Sequence, residues 1–177
     1  MVRRARASGV EVVEIAAPVI TIEEMVVADL ADVLVIERAA FRTPWSRETF
    51  RSALAQGHVR CSVARRGRCV VGYTVQQPIG SAIDVVRLAV DPGFRRRGVG
   101  RLLLDAVLED ARRRGVARVS LKVRVVNSAA RALYARLGFQ ATGPYTYPDA
   151  APGLEMAVTI EPARAAVPTP STGGEAA

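Results

Sequence analysis

The run Arg95-Arg96-Arg97-Gly98-Val99-Gly100 sets two glycines behind three guanidinium groups, just after the turn Asp91-Pro92-Gly93. Glycines let a backbone approach a ligand closely, and a helix beginning there leaves its first N–H groups without acceptors. Those donors and the positive end of the helix dipole form a phosphate cradle. The run lacks the Gly-Lys-Ser/Thr ending of a nucleotide P-loop. It also lacks the third glycine and the later acidic strand end of a dinucleotide fingerprint. Downstream, Asn127 and Tyr134 are seven residues apart. On one helix that is about two turns, so both can face a single cleft.

The whole chain has 177 residues, enough for one core and not two. Half of it is apolar and 24% charged, the balance of a soluble globular protein. No run approaches the ~18 apolar residues of a membrane span. Glu11 and Glu14 interrupt any signal-peptide core, and two cysteines make no disulfide framework. These features predict a soluble, cytoplasmic, single-domain protein.

Net charge is +8, yet Lys122 is the chain's only lysine and Asn127 its only asparagine. So complete a replacement of lysine by arginine has the look of a composition bias, and arginine content alone is weak evidence for nucleic acid. Position says more. From Arg95 to Arg136, eleven arginines and Lys122 face only Asp105, Glu109 and Asp110, a net +9. That stretch calls for an anionic ligand, either phosphates or an acidic partner.

The elements that would position these residues follow from periodicity and punctuation. Residues 1–18 lack a clear period and read as a loose extension. Val19–Met25 reads as a strand and Asp29–Ala40 as a helix. Ser46 would cap a second helix carrying Phe50 and Leu54. Val59–Ala64 and Cys69–Gln76 would pair across Arg66-Gly67, with Ala64 opposite Cys69 and both cysteines free. Ile83–Val90 is a strand leading into the glycine-rich turn and a helix to about Arg114, stopped by Gly115. Ala117–Arg124 alternates, with Ser120, Lys122 and Arg124 on one face. Asn127 or Ser128 would cap a short helix ended by Gly138. Leu154–Ile160 is the last strand, and 161–177, rich in Pro and Gly, reads as a disordered tail. Strands interleaved with helices give an α/β or α+β sheet covered on both faces.

Arg95-x-x-Gly98-x-Gly100 after Leu88-Ala89-Val90-Asp91-Pro92 resembles the acetyl-CoA signature of the GNAT superfamily of N-acetyltransferases. Asn127-Ser128-Ala129-Ala130-Arg131-Ala132-Leu133-Tyr134, followed by Leu137-Gly138-Phe139, resembles that family's downstream motif. The resemblance covers residues 19–160 and implies a mixed, mostly antiparallel sheet of about six to seven strands. Phe41-x-x-Pro44-Trp45-Ser46, Val123-Arg124 and Tyr145-x-Tyr147-Pro148 further resemble ribosomal-protein-alanine N-acetyltransferases, which acetylate a protein N-terminal α-amine.

The resemblance implies roles. The backbone of Leu88, Ala89 and Val90 would pair with the pantetheine arm. The N–H groups of Arg96, Arg97, Gly98, Val99, Gly100 and Arg101 would hold the pyrophosphate, with Arg95 beside them. Asn127 would hydrogen-bond acetyl-CoA, and Tyr134 would protonate the leaving thiolate. Trp45, Lys122, Tyr145 and Tyr147 would line the acceptor site. The expected partners are acetyl-CoA and a protein N-terminus, with a ribosomal protein as the candidate, and no metal, membrane or specific nucleic acid. Alternatives are a small-molecule amine acetylase and, more remotely, a silent RNA-binding module; the basic stretch has only Tyr134 for base stacking.

Two positions depart from the family pattern. Lys122 stands where α-amine enzymes commonly carry a glutamate base, and Pro152 where an aspartate is usual. A lysine at its reference pKa of ~10.4 holds its proton and accepts none. Glu37, Glu48 and Glu155 are the substitute bases the sequence offers.

Overall fold

The structure, a computed structural model, describes residues 3–7, 10–14 and 19–161. In chain order the strands and helices are β1 (Arg3–Ala7), β2 (Val10–Glu14), β3 (Ile20–Glu24), α1 (Leu30–Ala40), α2 (Arg47–Ala55), β4 (Arg60–Arg66) and β5 (Cys69–Ile79). They continue as β6 (Ala82–Val90), α3 (Val99–Arg113), β7 (Arg118–Arg124), α4 (Ser128–Arg136), β8 (Gln140–Thr146) and β9 (Pro152–Thr159). Seven strands form one sheet in the order β3-β4-β5-β6-β7-β9-β8, and only the β6–β7 pair is parallel. None of the described helices is long and apolar enough to cross a membrane.

Adjacent residues of β5 show how the sheet is covered. A Cβ at Gly72 would lie 3.1 Å from Leu103 and 3.2 Å from Val99, so this side faces α3. Its neighbour Tyr73 packs edge-on against Phe50 of α2, 5.6 Å between ring centres, and donates its hydroxyl proton to Glu37 of α1. Successive strand side chains point to opposite faces. Hence α1 and α2 cover one face and α3 the other. One core joins α1 and α2 to Val63, Tyr73 and Val75; another joins α3 and α4 to Val85, Val119 and Leu121.

Helix ends follow sequence chemistry. Ser46 Oγ accepts from Thr49 N at 3.1 Å, and Asn127 Oδ1 accepts from Ala130 N at 3.1 Å. Gly115 and Gly138 close α3 and α4 at φ +65° and +87°.

Three features differ from the sequence expectation. Residues 3–14, read as part of a loose extension, include a separate antiparallel ribbon that sets Arg3 opposite Glu14 and Arg6 opposite Glu11. In the β4–β5 hairpin Cys69 faces Arg66, not Ala64, which pairs with Gly72. The turn is tighter than expected, and a register shift at Ala64/Arg65 moves the partners. Finally, β8 was not foreseen, and β9 starts at Pro152.

The feature that shapes the site lies at the centre of the sheet. The parallel ladder between β6 and β7 runs from Ala82↔Arg118 to Val85↔Leu121 and ends there. On its other side β6 stays paired with β5 through Val90↔Gly72. In that pairing Val75 faces Arg87 and Gln76 faces Val85, so Val86 is an extra, bulged residue. β7 meanwhile continues with β9 to Arg124↔Gly153. The two central strands therefore part in a wedge beginning at Val86 and Lys122.

Candidate active site

The β6 wall of the wedge presents the backbone of Leu88, Ala89 and Val90, and beyond it stands the start of α3. Gly98 is the N-cap, left-handed at φ +84°. The first helical hydrogen bond runs from Leu102 N to Gly98 O at 3.0 Å. The N–H groups of Val99, Gly100 and Arg101 therefore have no intrahelical acceptor and form an anion-binding end. Arg96 is also at positive φ, 60°. Arg95 Nε anchors the turn by donating to Val90 O at 3.1 Å. The Arg97 and Arg66 guanidinium groups each lie 5.6 Å from the Phe94 ring centre, one positive rim for the turn. Arg101 is engaged with Asp105 at 3.3 Å.

The two glycines do different work. A Cβ on Gly98 would meet nothing within 4 Å, so its requirement is the left-handed backbone. A Cβ on Gly100 would stand 3.3 Å from Leu133 Cδ2, so this glycine lets α3 approach α4. Sequence reasoning had given both only the role of ligand approach.

On the α4 side, Asn127 is the helix cap described above. Tyr134 is 7% exposed and packs at 6.0 Å from Phe139. Burial, and next the neighbouring Tyr147, push its hydroxyl pKa up to about 12. It keeps its proton across the neutral range.

A second group gathers Lys122, Arg124, Tyr145 and Tyr147. Tyr145 and Tyr147 meet edge to face at 4.9 Å. Arg124 stacks 4.4 Å from the Tyr147 ring centre and pairs with Asp149 at 2.8 Å. Gly153 makes room, because a Cβ there would come within 2.6 Å of Tyr147 Cε2. Lys122 Nζ lies 5.6 Å from the Tyr145 ring centre and 2.7 Å from Asp84 Oδ2. Ser120 holds the other Asp84 oxygen at 3.1 Å.

Trp45 joins from the α1–α2 loop. Its N–H donates to Glu37 Oε1 at 2.7 Å, and its ring lies 4.8 Å from the Arg87 guanidinium, which also stacks on Phe41 at 4.4 Å. Arg87 Nε stands 3.3 Å from Glu37 Oε1.

Glu37, Asp84 and Arg87 thus organise the site. Sequence reasoning raised Glu37 only as a possible base and missed the other two. The available signal was an acid and a base inside the apolar run Ile83–Val90. Glu37 is fully buried and held by Tyr73, Trp45 and Arg87, which makes it a scaffold. Glu48 sits in the first turn of α2, where the backbone amides and Ser46 lower its pKa. Glu155 pairs in register with Lys122 and lies 3.5 Å from Arg118.

A wedge beside a helix N-terminus, with a protonated tyrosine and a charged aromatic cluster near it, suits transfer between a phosphate-bearing donor and an acceptor. The chain belongs to the acetyltransferase (GNAT) family, whose model matches residues 30–139. Among individual proteins, it is 34% identical over 141 residues to the ribosomal protein bS18-alanine N-acetyltransferase of Escherichia coli K12, covering 79% of this chain and 95% of that one. The crystal structure of the E. coli ribosomal-protein-S18-alanine N-acetyltransferase superposes with a TM-score of 0.74 at 30% identity, covering 84% of this chain and 99% of that one. The N-alpha-acetyltransferase RimI of Mycobacterium tuberculosis is 40% identical over 104 residues, 56% of this chain and 64% of that one.

Proposed function

We propose that this enzyme transfers the acetyl group of acetyl-CoA to a protein N-terminal α-amine, with an alanine-starting ribosomal protein as acceptor, in the cytoplasm. The observation that carries the donor half is the wedge: a β6 edge left without a β7 partner runs directly into the free N–H donors of α3. That combination fits a strand-like amide arm ending in phosphates. The similarity to the bS18-alanine enzymes supports the acceptor half.

Acetyl-CoA supplies a thioester whose carbonyl accepts an amine and whose sulfur leaves. Val99, Gly100 and Arg101 N–H groups hold the phosphates, while Arg95–Arg97 add positive field. Leu88–Val90 align the arm along β6. Tyr134 donates a hydrogen bond to the sulfur as charge builds on it. The acceptor enters from the Tyr145–Tyr147 flank, and β7, which has no Asp or Glu, offers Lys122 where α-amine enzymes commonly carry a carboxylate. An α-amine of pKa ~7.7–8.0 is roughly a tenth neutral at pH 7, against below ~0.1% for a lysine ε-amine. An N-terminal amine therefore reaches its reactive form by releasing its proton to water at about a tenfold penalty.

The test is an acetylation screen of N-terminal peptides against lysine-bearing peptides and small polyamines. Alanine-starting peptides with a free α-amine should give the highest kcat/KM. Preferential acetylation of a small amine would overturn the acceptor half and leave the donor half standing.

A further inference from the structure

Three cations gather around the Tyr145–Tyr147 pair. Lys122 Nζ lies 5.6 Å from the Tyr145 ring centre, and the Arg124 guanidinium 4.4 Å from that of Tyr147. The third is Arg87 of β6, the residue after the bulged Val86. Burial raises the Tyr147 hydroxyl, whereas the charges of Arg124 and Arg87 both lower it, so Arg87 acts on the same ring from β6. Stacking on Phe41 and Trp45 fixes the Arg87 guanidinium beside Glu37. Its Nε is buried and makes no hydrogen bond among the described residues, so the link to Glu37 is Coulombic and a donor stays open.

Each of the three cations has a carboxylate partner, and a bare count of charges gives a neutral site. Their depth separates them. The Arg87 side chain is 19% exposed and that of Glu37 0%; Lys122 is 34% exposed and Asp84 7%. In both pairs the acid is the buried member, and an incoming chain meets the cation first. A charge at contact distance outweighs the opposite charge behind it, because Coulomb energy falls with separation. The third pair is even, with Arg124 at 28% and Asp149 at 32%. Hydrogen bonds from Arg124 hold the Asp149 carboxyl below the usual carboxylate range, and the charge of Arg42 adds to the effect. Glu155, across from Lys122, lies 3.5 Å from Arg118. The exposed carboxylates here are therefore engaged, and the face is positive.

We propose that this face selects acceptor proteins with an acidic side chain at the second or third residue, and that Arg87 and Arg124 read it. The inference names the acceptor class within the acetyl-transfer reading above and rests on it. Arg87 adjoins Leu88, the first residue of the β6 segment assigned to the acetyl-CoA arm. An extended chain advances about 3.3–3.6 Å per residue, so a side chain that meets Arg87 belongs one or two residues behind the reacting amine. A carboxylate there forms charge-assisted hydrogen bonds with a guanidinium, whereas a basic side chain meets like charge.

The test uses the full chain, acetyl-CoA and alanine-starting peptides that differ only in carrying aspartate, asparagine or arginine at position two, with a parallel set at position three. At one position or the other, aspartate should exceed asparagine by about tenfold in kcat/KM, mainly through KM, and arginine should fall below both. Raising salt from ~0.1 to ~1 M shortens the screening length from about 10 to 3 Å and should shrink the aspartate-to-asparagine ratio severalfold. Arg124→Gln should lower that ratio at little risk to folding, because its partner Asp149 is part-exposed. Arg87→Gln with Glu37→Gln should lower it without stranding a buried charge. Asp149→Asn should raise it, a change of sign that a merely structural role does not produce. Equal kcat/KM across the peptides, or a preference for arginine, would overturn the inference and leave the acetyl-transfer reading standing. An aspartate preference undiminished in both Arg124→Gln and the Arg87–Glu37 double variant would overturn it too. If no alanine-starting peptide is acetylated, the acceptor reading falls and this inference with it.

Discussion

At the scale of single residues, Tyr134 and Lys122 have their chemistry set by what surrounds them. Burial holds the Tyr134 hydroxyl at about 12, well above the pKa of ~8.5 typical of a thiol. A donor so much weaker than its acceptor's conjugate acid assists by hydrogen bonding, not by complete early proton transfer. Tyr134→Phe should therefore lower kcat by about 10²-fold, the low end for general acids, with acetyl-CoA affinity unchanged by calorimetry. Full activity would return Tyr134 to a packing role. The sign of the pH dependence follows as well. kcat/KM should rise with an inflection near ~8, where an α-amine loses its proton, and should not fall again before pH 10, since Tyr134 is still protonated. A profile flat from pH 6 to 9 would reveal a base among the carboxylates. On sequence alone, Lys122→Glu looks like installation of the family's base. The buried Asp84 at 2.7 Å reverses that expectation, because the new carboxylate would face an old one. We expect Lys122→Glu alone to lose about 1–3 kcal/mol in denaturant melts and to gain no activity. Lys122→Glu with Asp84→Asn should recover most of the loss.

At the scale of elements, the site depends on how β6, α3 and α4 meet. Gly98→Ala forces a Cβ into a left-handed backbone, costing about 1–2 kcal/mol, while Gly100→Leu drives α3 away from Leu133. Both should weaken acetyl-CoA binding by at least roughly tenfold, Gly98→Ala by distorting the donors and Gly100→Leu by moving the helix that carries them. Unchanged affinity in a folded variant would refute the cradle. These elements were legible in the sequence because local signals mark them: alternation in Val119–Val123, caps at Ser46 and Asn127, glycine stops at Gly115 and Gly138. β8 was not, since Gly143 and Pro144 interrupt a mostly exposed strand at the sheet edge, where no buried alternation is imposed. The Asp84–Lys122 and Glu37–Arg87 pairs were illegible for another reason. Each joins residues 38 and 50 positions apart respectively, and only strand register and helix packing bring them together. The motifs mark the proposed donor site, while the proposed acceptor flank depends on tertiary pairing that no spacing encodes.

At the scale of the whole molecule, one core lies under α1 and α2 and others lie under α3 and α4, and the proposed donor site borders both faces. The core under α1 and α2 contains Cys61, 5% exposed, whose thiol burial pushes up to about 11. Cys69, the only other cysteine, is exposed at the hairpin. A disulfide reagent at pH 8 should modify Cys69 at once and reach Cys61 only when its core opens. The proposed acetyl-CoA site is built mainly from β6, α3 and α4, so ligand binding reports on Cys61 only if the cores open together. The continuous ladder from β4 through β5 to β6 makes that the expected behaviour, because opening the α1–α2 face strips the support of β6. At a hundredfold excess over Kd, acetyl-CoA stabilises the folded state by about 2.7 kcal/mol, and Cys61 labelling in the fast-reclosing regime should slow by about 10²-fold. Cys69 labelling should not change. A Cys61 rate indifferent to acetyl-CoA would show that the α1–α2 face, which carries Trp45 of the proposed acceptor wall, opens independently of the proposed donor site.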